Sequence, residues 1–455
     1  MTACAIEPAT GHDDGAGSRT GPTGCAITAD RSYAARLTPA DGSPVPERWT
    51  LDGPEPYAVP LPGSRPEEPG TEVQPLSDGR VLIHRPVAGR HAFFLLYPTG
   101  PGTGEVPLGA VECPDAGTRL WLLPPAPGGD RAYALAVGPR STTVWMVAGG
   151  AFGPERVADL PGRCSGGVWL DHAGRMLALD RETGGRTKAV VVDLERDGEV
   201  SPLLQIAAGS DDRVLLADPD SGLLLISSDA PSPGTPRVGW GVLGSTLPVR
   251  FPECLRMPGC VVTPFAIQPG QVLTPEGCAV ALRLDGPFGS WVGLWRPAER
   301  QVRHLPAPEG WLTGTGWWTE DGVLGLPYAT RDVPCGVARV RAPSPEAGRD
   351  GTDGGTTGAH DANGGDGGNG GEVSDTAPGA PGASGTSKGP RAAGAAAGQG
   401  TGTETGAGVP SGASSGAFGG TPGGGPGTSA SLPVAACAPR PVPLQQAPLA
   451  RFVTK

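Results

Sequence analysis

The sequence has little positive charge, no long apolar run and no recognisable export signal. Its 35 Lys and Arg stand against 46 Asp and Glu, and the net charge of −11 makes a nucleic-acid backbone an unexpected partner. No run of 18 apolar residues occurs, so we expect no membrane span. The first residues lack a basic stretch followed by an apolar core, which predicts no secretory signal and favours a cytoplasmic protein.

The nine cysteines are scattered and include no Cys-x-x-Cys pair. Cys254 and Cys260 share one predicted loop and could pair or bind a metal, but no histidine stands nearby at ligand spacing. A dispersed, odd-numbered set in a chain without an export signal favours free thiols, several of them buried as small apolar side chains. We therefore expect neither a metal nor a cofactor.

Glycine and proline are abundant, with 76 and 53 residues, and glycine is concentrated near the C-terminal end. Between residues 348 and 430 there are 29 glycines, and Phe418 is the single aromatic residue. Such a tract offers almost no apolar surface against an ordering cost of roughly 1–2 kcal/mol per residue, so it is predicted to be disordered. We expect a disordered N-terminal segment, a folded domain, a disordered insertion, and a closing strand with a tail, over residues 1–20, 21–341, 342–439 and 440–455.

A unit of about 49 residues recurs seven times in the folded part. Its clearest marker is a polar turn, found around Asp30, Gly79, Asp130, Gly174, Gly222, Gly277 and Gly322. The best-preserved unit, residues 166–207, contains four short strand-like segments bounded by Gly, Asp or Pro, which is typical of hairpins. A four-stranded sheet alone cannot bury both faces, so seven copies predict an all-β fold, a seven-bladed β-propeller.

Two other folds fit the sequence less well than the propeller. A doubly wound α/β domain is excluded because no stretch shows a helical period of useful length. A pair of β-sandwiches would not explain the regular spacing of the units. The sixth unit is predicted to begin with the strand QVLTPE, which leaves residues 253–271 as the longest loop between two units.

The seventh unit lacks a fourth strand before the Gly-rich tract. The segment RPVPLQQ, residues 440–446, matches earlier fourth strands such as YAVPLPG. We therefore predict that the chain returns after the tract and closes the ring. Trp317 and Trp318 are predicted to point to opposite faces of the first strand of this last unit.

Four of the seven predicted third strands carry a tryptophan at a similar position: Trp49, Trp145, Trp240 and Trp295. With the repeat architecture, this resembles the WD-repeat-like bacterial propeller proteins, over residues 21–341 and 440–447. The Gly-His dipeptide of that family is absent, and no aspartate follows any of the tryptophans, so the hydrogen-bond network of true WD repeats is not carried over. The resemblance implies a propeller fold and a binding role, and it names no partner.

The motifs and residues that could indicate catalysis are expected to have structural roles instead. The pattern Gly-x-Ser-x-Gly, known from serine peptidases that also carry a propeller, occurs twice inside the Gly-rich tract, with no strand before it and no helix after it. A hydrolase domain has no room in this chain. The six histidines are not expected to converge, and the turn aspartates are expected to cap their own turns rather than form an axial metal or acid–base site: His12, His84, His91, His172, His304 and His360; Asp30, Asp78, Asp130, Asp171, Asp218, Asp220 and Asp321.

The function predicted from these features is non-catalytic binding of an unknown protein partner by a monomeric scaffold. An enzyme acting on a small molecule at the central axis is the alternative, although the predicted first strands are largely apolar; an exported sugar- or envelope-binding module is a third. Loops joining second to third strands, and those joining consecutive units, are the predicted binding face. The candidate residues are Arg256 and Met257, in the loop before the sixth unit, and Trp311, expected to make an exposed contact before the seventh.

Overall fold

The computed structural model describes residues 24–342 except 40–42, 88, 114, 116 and 273. Within this part of the chain, seven antiparallel sheets follow one another in sequence order as the blades of a ring, and the predicted all-β, seven-bladed propeller is confirmed. Two single-turn 3-10 helices, Glu253–Leu255 and Pro275–Gly277, interrupt the strands. The predicted disordered segment 1–20, the predicted insertion beyond Ala342 and the predicted closing segment 440–455 lie outside the described residues.

Blades 1 to 4 each contain four strands, with the first strand innermost. Blade 1 consists of β1 (Cys25–Ile27), β2 (Tyr33–Pro39), β3 (Pro44–Thr50) and β4 (Tyr57–Pro60). Blade 2 consists of β5 (Glu72–Pro75), β6 (Val81–Val87), β7 (Arg90–Pro98) and β8 (Thr103–Glu112). Blade 3 consists of β9 (Arg119–Leu122), β10 (Ala132–Val137), β11 (Ser141–Ala148) and β12 (Glu155–Pro161). Blade 4 consists of β13 (Arg163–Trp169), β14 (Met176–Thr183), β15 (Arg186–Asp193) and β16 (Glu199–Leu204).

Blades 5 to 7 depart from this pattern. Blade 5 has three strands, β17 (Asp212–Ala217), β18 (Leu223–Ser228) and β19 (Arg237–Val242), and its fourth is reduced to one bridge between Trp240 and Arg250. Blade 6 consists of β20 (Val261–Ile267), β21 (Val280–Gly286), β22 (Gly289–Trp295) and β23 (Arg303–Leu305). The described part of blade 7 consists of β24 (Trp317–Trp318), β25 (Val323–Tyr328) and β26 (Gly336–Arg341).

The predicted first strand of blade 6 is wrong. Residues 261–267 form that strand, and the segment QVLTPE lies in the connection to β21, where Pro275–Gly277 makes its single turn. Pro264 argues against a strand in this segment of the sequence, because proline fits a sheet poorly unless it stands at an edge or a bulge. Here the register shifts between Pro264 and Ala266, so the proline is accommodated at an irregularity of the pairing.

Apolar side chains fill the wedges between neighbouring blades. Three of the four third-strand tryptophans are almost wholly buried, namely Trp49, Trp240 and Trp295. Between blades 7 and 1, Leu312 packs in one cluster with Trp49, so the ring is closed by side-chain packing. Trp318 packs toward blade 6 and Trp317 toward blade 1, which confirms that they alternate between the two faces.

The meander of each blade separates its connections onto two faces of the ring. The upper face carries the connections between second and third strands and those from one blade to the next. The lower face carries the first-to-second and third-to-fourth connections. No helix in the described part of the chain is long and apolar enough to cross a bilayer.

The seven cysteines among the described residues are free thiols, including Cys254 and Cys260. Burial raises the pKa of Cys164 and of Cys278 to about 11. These two therefore remain protonated at neutral pH and behave as small apolar side chains, as predicted.

Candidate functional site

Four of the seven turn aspartates accept a backbone amide hydrogen of their own turn on the lower face. Asp220 does not, and its predicted capping role is wrong: its Oδ2 accepts the amide hydrogen of Gly270, in blade 6, at 2.8 Å. Asp78 Oδ1 accepts a hydrogen bond from the amide of Arg80 at 2.9 Å, and Asp218 Oδ2 accepts one from the amide of Ser221 at 2.9 Å. Asp171 Oδ1 accepts one from the amide of Arg175 at 2.9 Å. The geometry of these four matches the predicted turn role, because the carboxylate oxygens are directed at backbone N–H groups of the same turn.

Two of the histidines converge, contrary to expectation. His84 Nε2 lies 2.8 Å from His91 Nδ1, and His84 Nδ1 lies 3.0 Å from Glu72 Oε2. The prediction failed because β6 and β7 form a hairpin whose register places these two side chains on one face. The same Glu72 oxygen accepts the amide hydrogen of Leu122 at 2.9 Å, so the chain of bonds joins blade 2 to blade 3.

This hydrogen-bonded Glu72–His84–His91 chain can accept one additional proton without losing a hydrogen bond. With Glu72 as acceptor, neutral His84 donates from Nδ1 and accepts at Nε2, so His91 donates from Nδ1 and keeps a lone pair on Nε2. A proton added to that Nε2 leaves both bonds intact. Burial and the neighbouring His84 nevertheless hold the pKa of His91 below its ordinary value.

Trp311 is buried, so the expectation that it makes an exposed contact is wrong. Its indole Nε1 donates to the carbonyl oxygen of Thr315 at 2.9 Å, and its ring packs against Phe265 with centroids 5.6 Å apart. The loop that carries it does not project from the ring, because Trp311 forms a bridge with Tyr328 beside β25. It therefore completes the inner edge of blade 7.

Arg256 and Met257 lie on the upper face, where the chain crosses from blade 5 to blade 6. The single turn before them is anchored by Leu255, which is buried between the two blades. Arg256 is exposed, whereas Met257 is half-buried and packs against that same core. Among the described residues Arg256 has no ion-pair partner: neighbouring Glu253 binds Arg237 at 2.8 Å instead.

Two exposed apolar side chains lie on the same upper face of blade 6. Phe288 occupies the tip of the two-residue turn between β21 and β22 and is fully exposed. Val261 begins β20, pairs with Asp285 close to the turn of the same hairpin, and is 63% exposed. We define Arg256, Met257, Val261 and Phe288 as the blade 6 upper patch.

Two of the four residues of this patch could be predicted from the sequence. Loop position indicated Arg256 and Met257, because loops between blades carry variable residues. Val261 lies within the loop predicted over residues 253–271, and the sequence does not mark Phe288, because the exposure of one apolar residue is not visible in a sequence. The only sequence signal at Phe288 is its setting, DGPFGS, in which turn-forming residues flank one aromatic ring.

Comparison with known proteins gives a fold likeness only. No protein-family model and no curated protein matches the chain. The oligogalacturonate lyase of Vibrio parahaemolyticus is 11% identical, with a TM-score of 0.44, over 70% of this chain and 89% of its own. The corresponding values are 11%, 0.37, 71% and 85% for TolB from Acinetobacter baumannii, and 11%, 0.41, 68% and 91% for the β-propeller domain of the Trilobed protease from Pyrococcus furiosus. Such low values carry no argument about activity, and no WD-repeat family membership is assigned.

Proposed function

We propose that this protein is a non-catalytic scaffold that binds a protein partner through the blade 6 upper patch. The observation that carries the proposal is the full exposure of Phe288 at the tip of a hairpin, on the same face of blade 6 as the exposed Val261. An aromatic side chain on a rigid two-residue turn gives contact area at low entropic cost, and burying one contributes about 1.5–3 kcal/mol. As part of the proposal, the protein acts as a monomer in the cytoplasm.

The chemistry of the patch defines the partner. Met257, Val261 and Phe288 require an apolar surface, and Met257 can adapt its shape to that surface because its side chain is unbranched and flexible. Arg256 lies beside them without an ion pair among the described residues, so it is available for a carboxylate. The expected partner segment therefore presents apolar side chains next to at least one aspartate or glutamate.

The test compares two exposed phenylalanines on opposite faces. Phe152, 97% exposed in the third-to-fourth connection of blade 3, lies on the lower face and is the matched control. Immobilised wild-type protein, Phe152→Ser and the triple variant R256A/M257S/F288S are each exposed to lysate of the native host. We expect partners retained by the first two proteins and lost by the third, and a purified partner should bind the triple variant about 100-fold more weakly. Equal binding by a correctly folded triple variant would remove the patch from consideration.

A further inference from the structure

A pocket of about 260 Å³ opens on the lower face, where blade 7 meets blade 1. This seam pocket is distinct from the blade 6 upper patch in both blade and face. Blade 1 contributes its first turn and the end of β3, and blade 7 contributes one face of its sheet. The residues that matter are Asp30, Arg31, Asp52, Trp317 and Arg339.

Arg31 adopts a left-handed backbone conformation, which glycine occupies in the equivalent turns of three other blades. Its φ is 66°, in the left-handed region, and its amide donates to the carbonyl oxygen of Thr28 at 2.9 Å. The equivalent turns of three other blades make the same backbone bond with a glycine at φ between 72° and 80°: Gly79, Gly129 and Gly322. A side chain is disfavoured at such an angle, so the turn itself does not account for an arginine. The consequence is an arginine among the residues that line the seam pocket.

A second guanidinium and two carboxylates complete the charges of the pocket. Arg31, Asp52 and Arg339 make no ion pair or hydrogen bond with any other described side chain, although all three line the same space. Asp30 accepts the amide hydrogen of Ser32 at 3.1 Å. Partial burial raises the pKa of Asp30, but hydrogen bonds from Thr28 and Ser32 outweigh that effect and hold it below its ordinary value. The pocket thus carries two positive and two negative charges at neutral pH.

Trp317 supplies an apolar wall. Its indole lies across the pairing residue Gly325, where an added Cβ would stand 2.7 Å from the ring. Only glycine leaves room for the indole in this position, because the ring would collide with any larger residue. The half-buried indole therefore presents an aromatic surface beside the charged groups.

We propose that the seam pocket binds a small zwitterion of the amino-acid class, with its carboxylate on the two arginines, its ammonium on the two aspartates and its apolar part against Trp317. A simple anion would leave the aspartates without a counter-charge, and a simple cation would leave the arginines without one. A zwitterion satisfies both. The volume admits a ligand of one or two residues.

The test measures the binding of free amino acids to the full-length protein by ligand-detected NMR and by Trp fluorescence. The panel contains L-leucine, L-phenylalanine and the dipeptide Leu-Gly. N-acetyl-leucine, which lacks the ammonium group, and leucinamide, which lacks the carboxylate, are the controls. We expect at least one zwitterion to bind and its one-charge analogue to bind at least about tenfold more weakly. Absence of binding by all zwitterions up to millimolar concentration, or equal binding of the analogues, would overturn the proposal.

The variant Arg31→Gly separates binding from folding. Glycine relieves the left-handed backbone, so the unfolding midpoint should be equal to or higher than that of the wild type, while affinity falls at least about tenfold. Arg300→Gly, at an exposed arginine elsewhere on the lower face, is the matched control and should keep full affinity. Undiminished binding by a stable Arg31→Gly protein would show that the seam pocket is not the site. None of these outcomes depends on partner capture at the blade 6 upper patch.

Discussion

Carboxylates at the start of first strands join consecutive blades by hydrogen bonds. Asp212, at the start of β17, is wholly buried, and its oxygens accept from Lys188 Nζ at 2.7 Å, from Ser228 Oγ at 2.6 Å and from the amide of Ile206 at 3.0 Å. Lys188 belongs to blade 4 and Ser228 to blade 5, so one carboxylate holds two sheets. Glu72 takes the corresponding place in blade 2, where it pairs with His84 as Asp212 pairs with Ser228.

Replacing Asp212 by Asn should destabilise the protein strongly. The substitution removes the counter-charge of Lys188, whose side chain is only 19% exposed, and breaking a buried pair on one side costs about 3–5 kcal/mol. Urea unfolding measures the loss. Glu195→Gln, at a largely exposed side chain, should change the free energy of unfolding by no more than about 0.5 kcal/mol. A loss below about 1 kcal/mol for Asp212→Asn would contradict the role given to this carboxylate.

The Glu72–His84–His91 chain predicts a dependence of stability on pH. Because the folded protein holds the pKa of His91 below its ordinary value, the unfolded chain binds a proton there more readily. The contribution is fully present above the ordinary histidine pKa and is lost as the pH falls through and below it. His91→Gln should therefore show a smaller decrease in unfolding free energy between pH 7 and pH 5 than the wild type. Parallel pH profiles would rule out this assignment.

At the scale of elements, the strands that were predicted correctly are those whose apolar runs end in Gly, Asp or Pro. The four strands of blade 4, predicted within residues 166–207, belong to this class. The errors have local causes. Pro264 argues against a strand over β20, although the sheet accommodates it at a register shift. Trp311 is predicted in a loop, although its bridge to Tyr328 holds it in the core. The patch at Phe288 and the seam pocket depend on which side chains three-dimensional packing leaves uncovered. Periodicity in a sequence carries no such information.

The shortened fourth strand of blade 5 predicts local mobility that hydrogen exchange can measure. One bridge between Trp240 and Arg250 is all that replaces a strand there, whereas β8 pairs with β7 along Arg90–Pro98. Backbone amides of residues 244–249 should exchange far faster than those of residues 105–111, because fewer ladder bonds must open. Similar protection in the two segments would indicate that blade 5 has a complete fourth strand in solution.

At the scale of the whole molecule, the ring depends on how blade 7 meets blade 1. The described residues join these blades through apolar packing that includes Trp49, Leu51 and Leu312. The predicted closing strand at residues 440–446 lies outside the described residues and stays a prediction. It would cover the outer edge of β26, which pairs on that side with no strand in the described part of the chain.

Two deletions test this closure. Removing residues 348–430, with a short linker kept, should leave the midpoint of thermal unfolding within a few degrees of the wild type, because the tract has little apolar surface. Truncation after residue 430 should lower it, because the closing strand is lost. Equal stability of the truncated protein as a soluble monomer would remove the closing strand from the account.

The proposed docking of a protein partner on the blade 6 upper patch can be tested by cross-linking inside the cell. Phe288 and Phe152 are almost equally exposed on opposite faces, so a photoreactive phenylalanine analogue can replace either one with little effect on folding. The measurement is covalent capture of a partner after irradiation in the native host, with the cross-linked peptide identified by mass spectrometry. We predict an adduct from position 288 to a segment that contains apolar residues and a carboxylate, and none from position 152. Capture from position 152 alone, or from neither position, would contradict the claim.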